Sequence, residues 1–364
     1  MMEVITAKGH QRASMLAIAA CNIGSLAVAA NLVLTLNPED RISIKRGLAL
    51  TALGFAYFTS LFELFNAAAL TTGAGTRLRH KYRLSCGEVL DISNKVVSAV
   101  QAALSVLTGA VVVLYSCPRD FLRTSHYASE AYAWFGTSYF FYDIWSMYLV
   151  HVQMCIGGDY KKAASKAPPK GPAGEGPKAG QGGSPGGAPP ARGQPSRVSF
   201  LQYCRHEPVI LMHHLFIGGF GFLVIVYFRG DLGDCTFGFC YLMELSTPFV
   251  SLRGALARLR LKNTRLYVVN GLLMLASFFV CRVLSLPYVC LLHARAVNMP
   301  YLEAIKSLPT GCKVSICILL LPQLYWFYLM SAGAIKMLIG GQKQTADASV
   351  SAAASAPAAA CKRS

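Results

Sequence analysis

Charge is scarce in this chain. Asp, Glu, Lys and Arg make up 14% of its 364 residues, against roughly 25% in ordinary soluble domains. That shortage excludes a water-soluble globular domain, and a hydrophobic content of 54% identifies an integral membrane protein. Acidic residues are the scarcest, 17 against 34 Lys and Arg, for a net charge of +17. The basic residues fall in short runs between apolar segments, where they set orientation and meet anionic headgroups. No nucleic-acid partner is therefore expected. The 12 Cys include no CxxC, and the closest pairs are Cys235/Cys240 and Cys312/Cys317, so neither a zinc site nor a disulfide framework is argued. Most of the cysteines are expected to be buried as small apolar residues.

What is present is a series of apolar runs, and the fold class they predict is all-α, a polytopic transmembrane bundle of about eight spans. Residues 13–36 form the first run. It exceeds the apolar core of a signal peptide and reads as an anchor, making 1–46 an N-terminal extension with one span. Residues 47–72 contain Glu63 and Asn66, three apart and expected to face the bundle interior. The run 96–115 carries Ser98, Ala102, Ser105 and Gly109, a small-residue face suited to close helix packing. Further runs lie at 131–156, with Asp143 inside, at 207–228, at 235–252, with Glu244 and a helix-interrupting Pro248, at 266–292, with Asn270 and Arg282, and at 313–337. Residues 157–199, rich in Gly, Pro, Lys and Ala, read as a disordered loop, and residues 340–364 as a disordered tail.

With eight spans, 24 of the 34 Lys and Arg fall on the side of both termini and the Gly/Pro loop, and nine on the other. That bias places the termini and loop in the cytosol. His213 then lies roughly 9 Å from the cytosolic end of its span, Glu244 roughly 12 Å and Asp143 roughly 20 Å, at the helical rise per residue. Adjacent imidazoles near carboxylates suit general base, nucleophile or proton-relay chemistry, and they also suit plain helix-to-helix hydrogen bonding. Neighbouring helical histidines project about 100° apart, so no metal site is expected from the pair. Arg282 is expected to pair with Glu63 or Asp143, or to hold a lipid headgroup or phosphate. The aromatics of 138–145 and 325–328 read as core or interfacial packing before an acyl tunnel.

Five ordered stretches, SYFFYDIWSM, the pair His213 and His214, MELSTPFVSL, VNGLLMLASFFVCRVLSLPY and LLLPQLYWFYL, resemble the TLC domain shared by translocation-associated membrane proteins and ceramide synthases. The likeness is greatest to the TLC domain-containing protein 3 group, and it covers about 47–339. It implies a multi-pass endoplasmic reticulum protein of sphingolipid metabolism, transferring an acyl group from acyl-coenzyme A, as co-substrate, to a sphingoid base, with no bound cofactor. His213, His214, Asp143 and Glu244 would be catalytic, and Tyr139, Tyr142, Arg282, Asn270 and Tyr325 would bind substrate. The similar synthases carry a second acid where this chain has Leu245, Ser246 and Thr247. That departure keeps open a non-catalytic lipid-binding regulator, partnered by true ceramide synthases. A lipid transporter is a further alternative.

Overall fold

The computed structural model describes residues 2–166, 199–230 and 233–354, and every regular element among them is helical. The helices are α1 (Met2–Leu34), α2 (Ile44–Thr71), α3 (Gly73–Tyr82), α4 (Cys86–Ser116), α5 (Tyr127–Lys166), α6 (Phe200–His206), α7 (Pro208–Leu215), α8 (Asp234–Leu242), α9 (Thr247–Arg258), α10 (Arg265–Phe278), α11 (Ser285–Ala296), α12 (Tyr301–Ser307) and α13 (Thr310–Ala354). Most of the expected Gly/Pro loop, and residues 355–364 of the expected tail, lie outside the described residues. The helix α5 continues to Lys166 and α13 to Ala354, into segments that the composition reads as loop and tail.

Six segments are long and apolar enough to cross a membrane: Ser14–Leu34, Ile44–Thr71, Cys86–Ser116, Pro208–Phe228, Arg265–Ala296 and Thr310–Lys336. The other two expected spans, 131–156 and 235–252, are not among them. Both nevertheless run along α4. Tyr142 and Asp143 meet Asn94, Tyr139 meets Ser98 and Tyr132 meets Gln101, so α5 lies antiparallel beside α4. On another side of α4, Gly238 packs at Gly109, Tyr241 at Ser105 and Arg258 at Asp91, carrying α8 and α9 down the same helix. A helix enclosed by neighbours can satisfy polar groups inside the bundle and need not be apolar all round.

The core joins α1, α2, α4 and α5 around Tyr57, Phe58, Phe62, Phe135, Tyr139 and Tyr142. Phe58 is fully buried, with its ring centroid 5.5 Å from Phe135 and 5.4 Å from Tyr139. Aromatic pairs of this kind contribute about 0.5–1.5 kcal/mol beyond their area. The small-residue face of α4 packs as expected: Ala102 and Ser105 are buried, and a Cβ on Gly109 would stand 2.7 Å from the Gly238 carbonyl oxygen. Glu63 departs from expectation. Asn66 points inward, but Glu63 is exposed, because Phe58, Leu61 and Phe62 occupy the face of α2 that meets α4 and α5.

Cysteine usage is a second correction. Cys117, just after α4, and Cys235, in the first turn of α8, form a disulfide across 118 residues. Cys21, Cys86, Cys312 and Cys317 are exposed, and of the free cysteines among the described residues only Cys290 is buried. Sequence spacing could not find the bridge, because the α4 and α8 packing at Gly109 and Gly238 creates it. The bridge lies at the end of the bundle whose loops carry the smaller share of the Lys and Arg.

Candidate active site in the bundle interior

The histidine pair ends α7, where the helix widens into π-type turns over Phe216–Gly221. Gly218 lies in that widened segment because a Cβ there would stand 2.7 Å from Phe140 Cβ. Its carbonyl accepts a hydrogen bond of 2.5 Å from the Thr137 hydroxyl. This close approach to α5 sets His214 against Asp143.

The His214 Nε2 lies 2.8 Å from Asp143 Oδ2, and Nδ1 lies 2.7 Å from the Ile210 carbonyl oxygen. That carbonyl can only accept, so Nδ1 carries a hydrogen, and the Nε2 to Oδ2 contact holds one further proton between imidazole and carboxylate. The other carboxylate oxygen of Asp143 accepts from Asn94 Nδ2 at 2.9 Å. Asn94 Oδ1 in turn accepts from the Tyr142 and Ser146 hydroxyls at 3.1 and 2.7 Å. Asp143, His214, Asn94 and Ser146 are all buried. The result is a hydrogen-bonded support that fixes the ring of His214.

His213 is different. Its ring stands at 87° to that of His214, edge-on to Trp326 with centroids 5.3 Å apart. It has no hydrogen-bond partner among the described residues, and it sits within electrostatic reach of Arg282 and Glu244. One imidazole of the pair is therefore anchored and the other is open.

Beside them lies a second polar group organised by Pro248. Without an N–H, Pro248 cannot continue the α-helical ladder. The chain tightens to a 3₁₀ turn over Met243–Ser246 and restarts as α9 with Pro248 near its N-terminus. This turn gathers Glu244, Ser246 and Thr247 around the Arg282 guanidinium, which sits in a π-type turn over Phe279–Leu284. Arg282 donates to Glu244 Oε1 at 3.0 Å, Ser246 Oγ at 2.9 Å, Thr247 Oγ1 at 2.9 Å and Gln323 Oε1 at 3.5 Å. The Thr247 hydroxyl donates to Glu244 Oε2 at 2.5 Å. Arg282 thus pairs with Glu244, and not with Glu63 or Asp143, because the Pro248 break brings Glu244 within its reach. Ser246 and Thr247 complete this arginine's hydrogen bonding.

Asp143 meets His214 at one level, although counting residues from helix ends separates the two by roughly 10 Å. The count runs from the expected end of a span, and α5 continues beyond it. Four other expected site residues lie to the side. Tyr139 is buried in the aromatic core and donates to Ser98, and Tyr142 supports Asn94. Asn270 ties α10 to α9 by donating to the Phe249 carbonyl at 2.9 Å, while Tyr325 is 59% exposed on the outer surface of α13. Asn94, Ser146, Ser246, Thr247, Gln323 and Trp326 belong to the two networks and have no distinguishing motif of their own. The one available signal for Asn94 was an amide at helical spacing from Ser98 on the small-residue face. Among the described residues no three His, Cys, Asp or Glu side chains converge as metal ligands.

The family whose sequence profile matches this chain is the TLC domain, over residues 91–332. The matched stretch spans Asn94, Asp143, the histidine pair, Glu244, Arg282 and Trp326. No solved structure matches.

Proposed function

We propose that this chain, which belongs to the TLC domain family, transfers an acyl group from acyl-coenzyme A to the amine of a sphingoid base at the endoplasmic reticulum membrane. TLC proteins are linked to lipid metabolism, and the apolar helices fit a membrane enzyme. The observation that carries the reading is the division of labour within the histidine pair. An Asp143-supported His214 beside an unpartnered His213 suits group transfer better than helix tethering, which would use both rings.

In the reaction the amine nitrogen attacks the thioester carbonyl, the carbon–sulfur bond breaks, and an amide forms with release of coenzyme A. His213 takes the amine proton as general base, or first accepts the acyl group itself and passes it to the amine. His214, oriented by Asp143, returns a proton to the departing thiolate. Arg282 and Glu244 compensate each other's charge beside the pair. The side of the bundle carrying the Lys and Arg excess admits the water-soluble donor, and the sphingoid base enters from the lipid.

The test is the purified full-length protein in lipid, given labelled acyl-coenzyme A and sphinganine. Wild type is expected to form ceramide, and His213→Ala and His214→Ala to lose the activity. Equal ceramide from all three would sink the proposal.

One observation favours a second reading, a non-catalytic regulator of membrane lipid composition acting with ceramide synthases. Glu244 is fully engaged by Arg282 and Thr247, which leaves Asp143 as the one carboxylate bonded to the pair, through His214. In that case the histidine substitutions leave cellular lipid effects intact, and the effects vanish in cells lacking the synthases.

A further inference from the structure

The short helix α3 is the most basic element of the described chain, and it is rigidly mounted. Thr72 closes α2 and caps α3 at once, its hydroxyl accepting from the Gly75 N–H at 3.0 Å. Gly75 allows the tight junction, since a Cβ there would stand 2.4 Å from the Ala69 carbonyl oxygen. At the other end Arg83 adopts a left-handed conformation (φ 50°), the Leu84 N–H returns to the Arg79 carbonyl at 3.0 Å, and the Leu84 side chain is buried. This is the helix-closing motif that commonly uses glycine. Here an arginine occupies the strained position, which fixes the direction in which it leaves the backbone.

Along α3 and the turn that follows it lies an open cleft of about 320 Å³ lined by Thr76, Arg79, His80, Arg83 and Leu84. No carboxylate borders it. The nearest acids in sequence are taken: Glu88 receives Arg260 at 3.0 Å, and Asp91 receives Arg258 at 2.6 Å and Lys95 at 2.9 Å. Arg79 and Arg83 form no ion pair among the described residues. The Arg79 Nε is buried and has no hydrogen-bond partner. The guanidinium lines the cleft without an acid beside it, so its donors there are free to meet an anion. The N-terminus of α2 lies by Glu130 near the disulfide, so α3, after its C-terminus, stands at the cytosolic end of the bundle.

We propose that this cleft binds a phosphate group, held by Arg79 and Arg83 with His80 as a further polar partner. Arginine presents a planar fork of donors that matches phosphate oxygens. Two sources meet this chemistry at a cytosolic membrane surface: the nucleotide phosphates of coenzyme A, and the headgroup of an anionic phospholipid. The site stands whether or not the histidine pair transfers acyl groups, because phosphate binding is measured without turnover.

The experiment uses the full-length protein in phosphatidylcholine nanodiscs, titrated calorimetrically with 3′,5′-adenosine bisphosphate, the phosphate-bearing end of coenzyme A. A parallel arm measures retention of phosphatidylserine and phosphatidic acid by native mass spectrometry. Arg79→Gln/Arg83→Gln is compared with Arg77→Gln/Lys81→Gln, which removes equal charge from the same helix outside the cleft. Thr76→Glu, placing an acid in the cleft at an exposed position, is a variant independent of the arginines. Binding in either arm is expected to weaken at least tenfold in Arg79→Gln/Arg83→Gln and in Thr76→Glu, and less than threefold in the control. Loss in the nucleotide arm assigns the coenzyme, and loss in the lipid arm alone assigns the headgroup. Equal weakening in both double variants, or no binding in either arm, overturns the proposal.

Discussion

The two ends of the bundle both bury charge, and they do so in opposite ways. At the disulfide end, Asp234 accepts from the His126 N–H at 2.5 Å and pairs with Arg229, and Glu130 accepts from the Ile42 N–H at 3.0 Å and pairs with Arg41 at 2.6 Å. Both acids are almost fully buried. Together with the Cys117 and Cys235 bridge they staple the starts of α2, α5 and α8 to the end of α4. Around the histidine pair the network is as elaborate but stops short, since Asp143 is tied to His214 while His213 has no hydrogen-bond partner among the described residues. A closed network holds helices in register, whereas an open one leaves a group available for chemistry.

The largest effect expected from breaking this comparison is on turnover. Asp143→Asn keeps the shape and removes the carboxylate that stabilises His214, so the rate of the proposed acyl transfer should fall by about 10²-fold or more, with little change in thermal stability. A matching loss of stability would make Asp143 a staple like Asp234. Asp234→Ala is the mirror test. Stranding Arg229 in the interior should cost about 3–5 kcal/mol, read as a lower melting temperature and lower yield, while the transfer rate per folded molecule holds. Opening the bridge comes next, with Cys117→Ser expected to destabilise by about 2–4 kcal/mol, and reducing agent should reproduce the shift in wild type but not in the variant.

The smallest effect is a pH dependence confined to the disulfide end. His126, in the connection before α5, has its pKa lowered from the ordinary 6.5, chiefly by burial and then by the Arg119 charge. Its Nδ1 accepts from the Ala128 N–H at 3.1 Å, a bond that protonation breaks. The unfolded chain therefore binds a proton that the folded chain refuses. Stability is full above the ordinary imidazole range and declines as pH is lowered through it. Melting temperatures between pH 7.5 and 5.5 should fall for wild type and fall less steeply for His126→Phe. Parallel slopes would assign the titration elsewhere.

Much of the bundle was legible because lipid and backbone impose strict terms. Apolar runs of spanning length, the Lys and Arg bias, the small face of α4 and the break at Pro248 are all one-dimensional signals. Helices enclosed by others carry a weaker signal: 131–156 and 235–252 are not among the six segments apolar enough to cross a membrane, and their packing along α4 is what places them. At the site, the sequence marked His213, His214, Asp143 and Glu244 because ionisable groups in apolar runs stand out. It could not mark Asn94, Ser146 or Gln323, which are ordinary polar residues until a neighbour's donor or acceptor faces them.

By itself the sequence determined an all-helical membrane bundle and an interior pair of imidazoles within reach of acids, since each follows from composition and spacing along one helix. Only the tertiary structure decided that Asp143 belongs to His214, that Arg282 belongs to Glu244, that His213 meets Trp326 and no hydrogen-bond partner among the described residues, and that Cys117 meets Cys235. The physical reason is common to all four. Hydrogen bonds, ion pairs and disulfides need atoms within a few ångströms, and between residues far apart in the chain that proximity is set by how the helices pack.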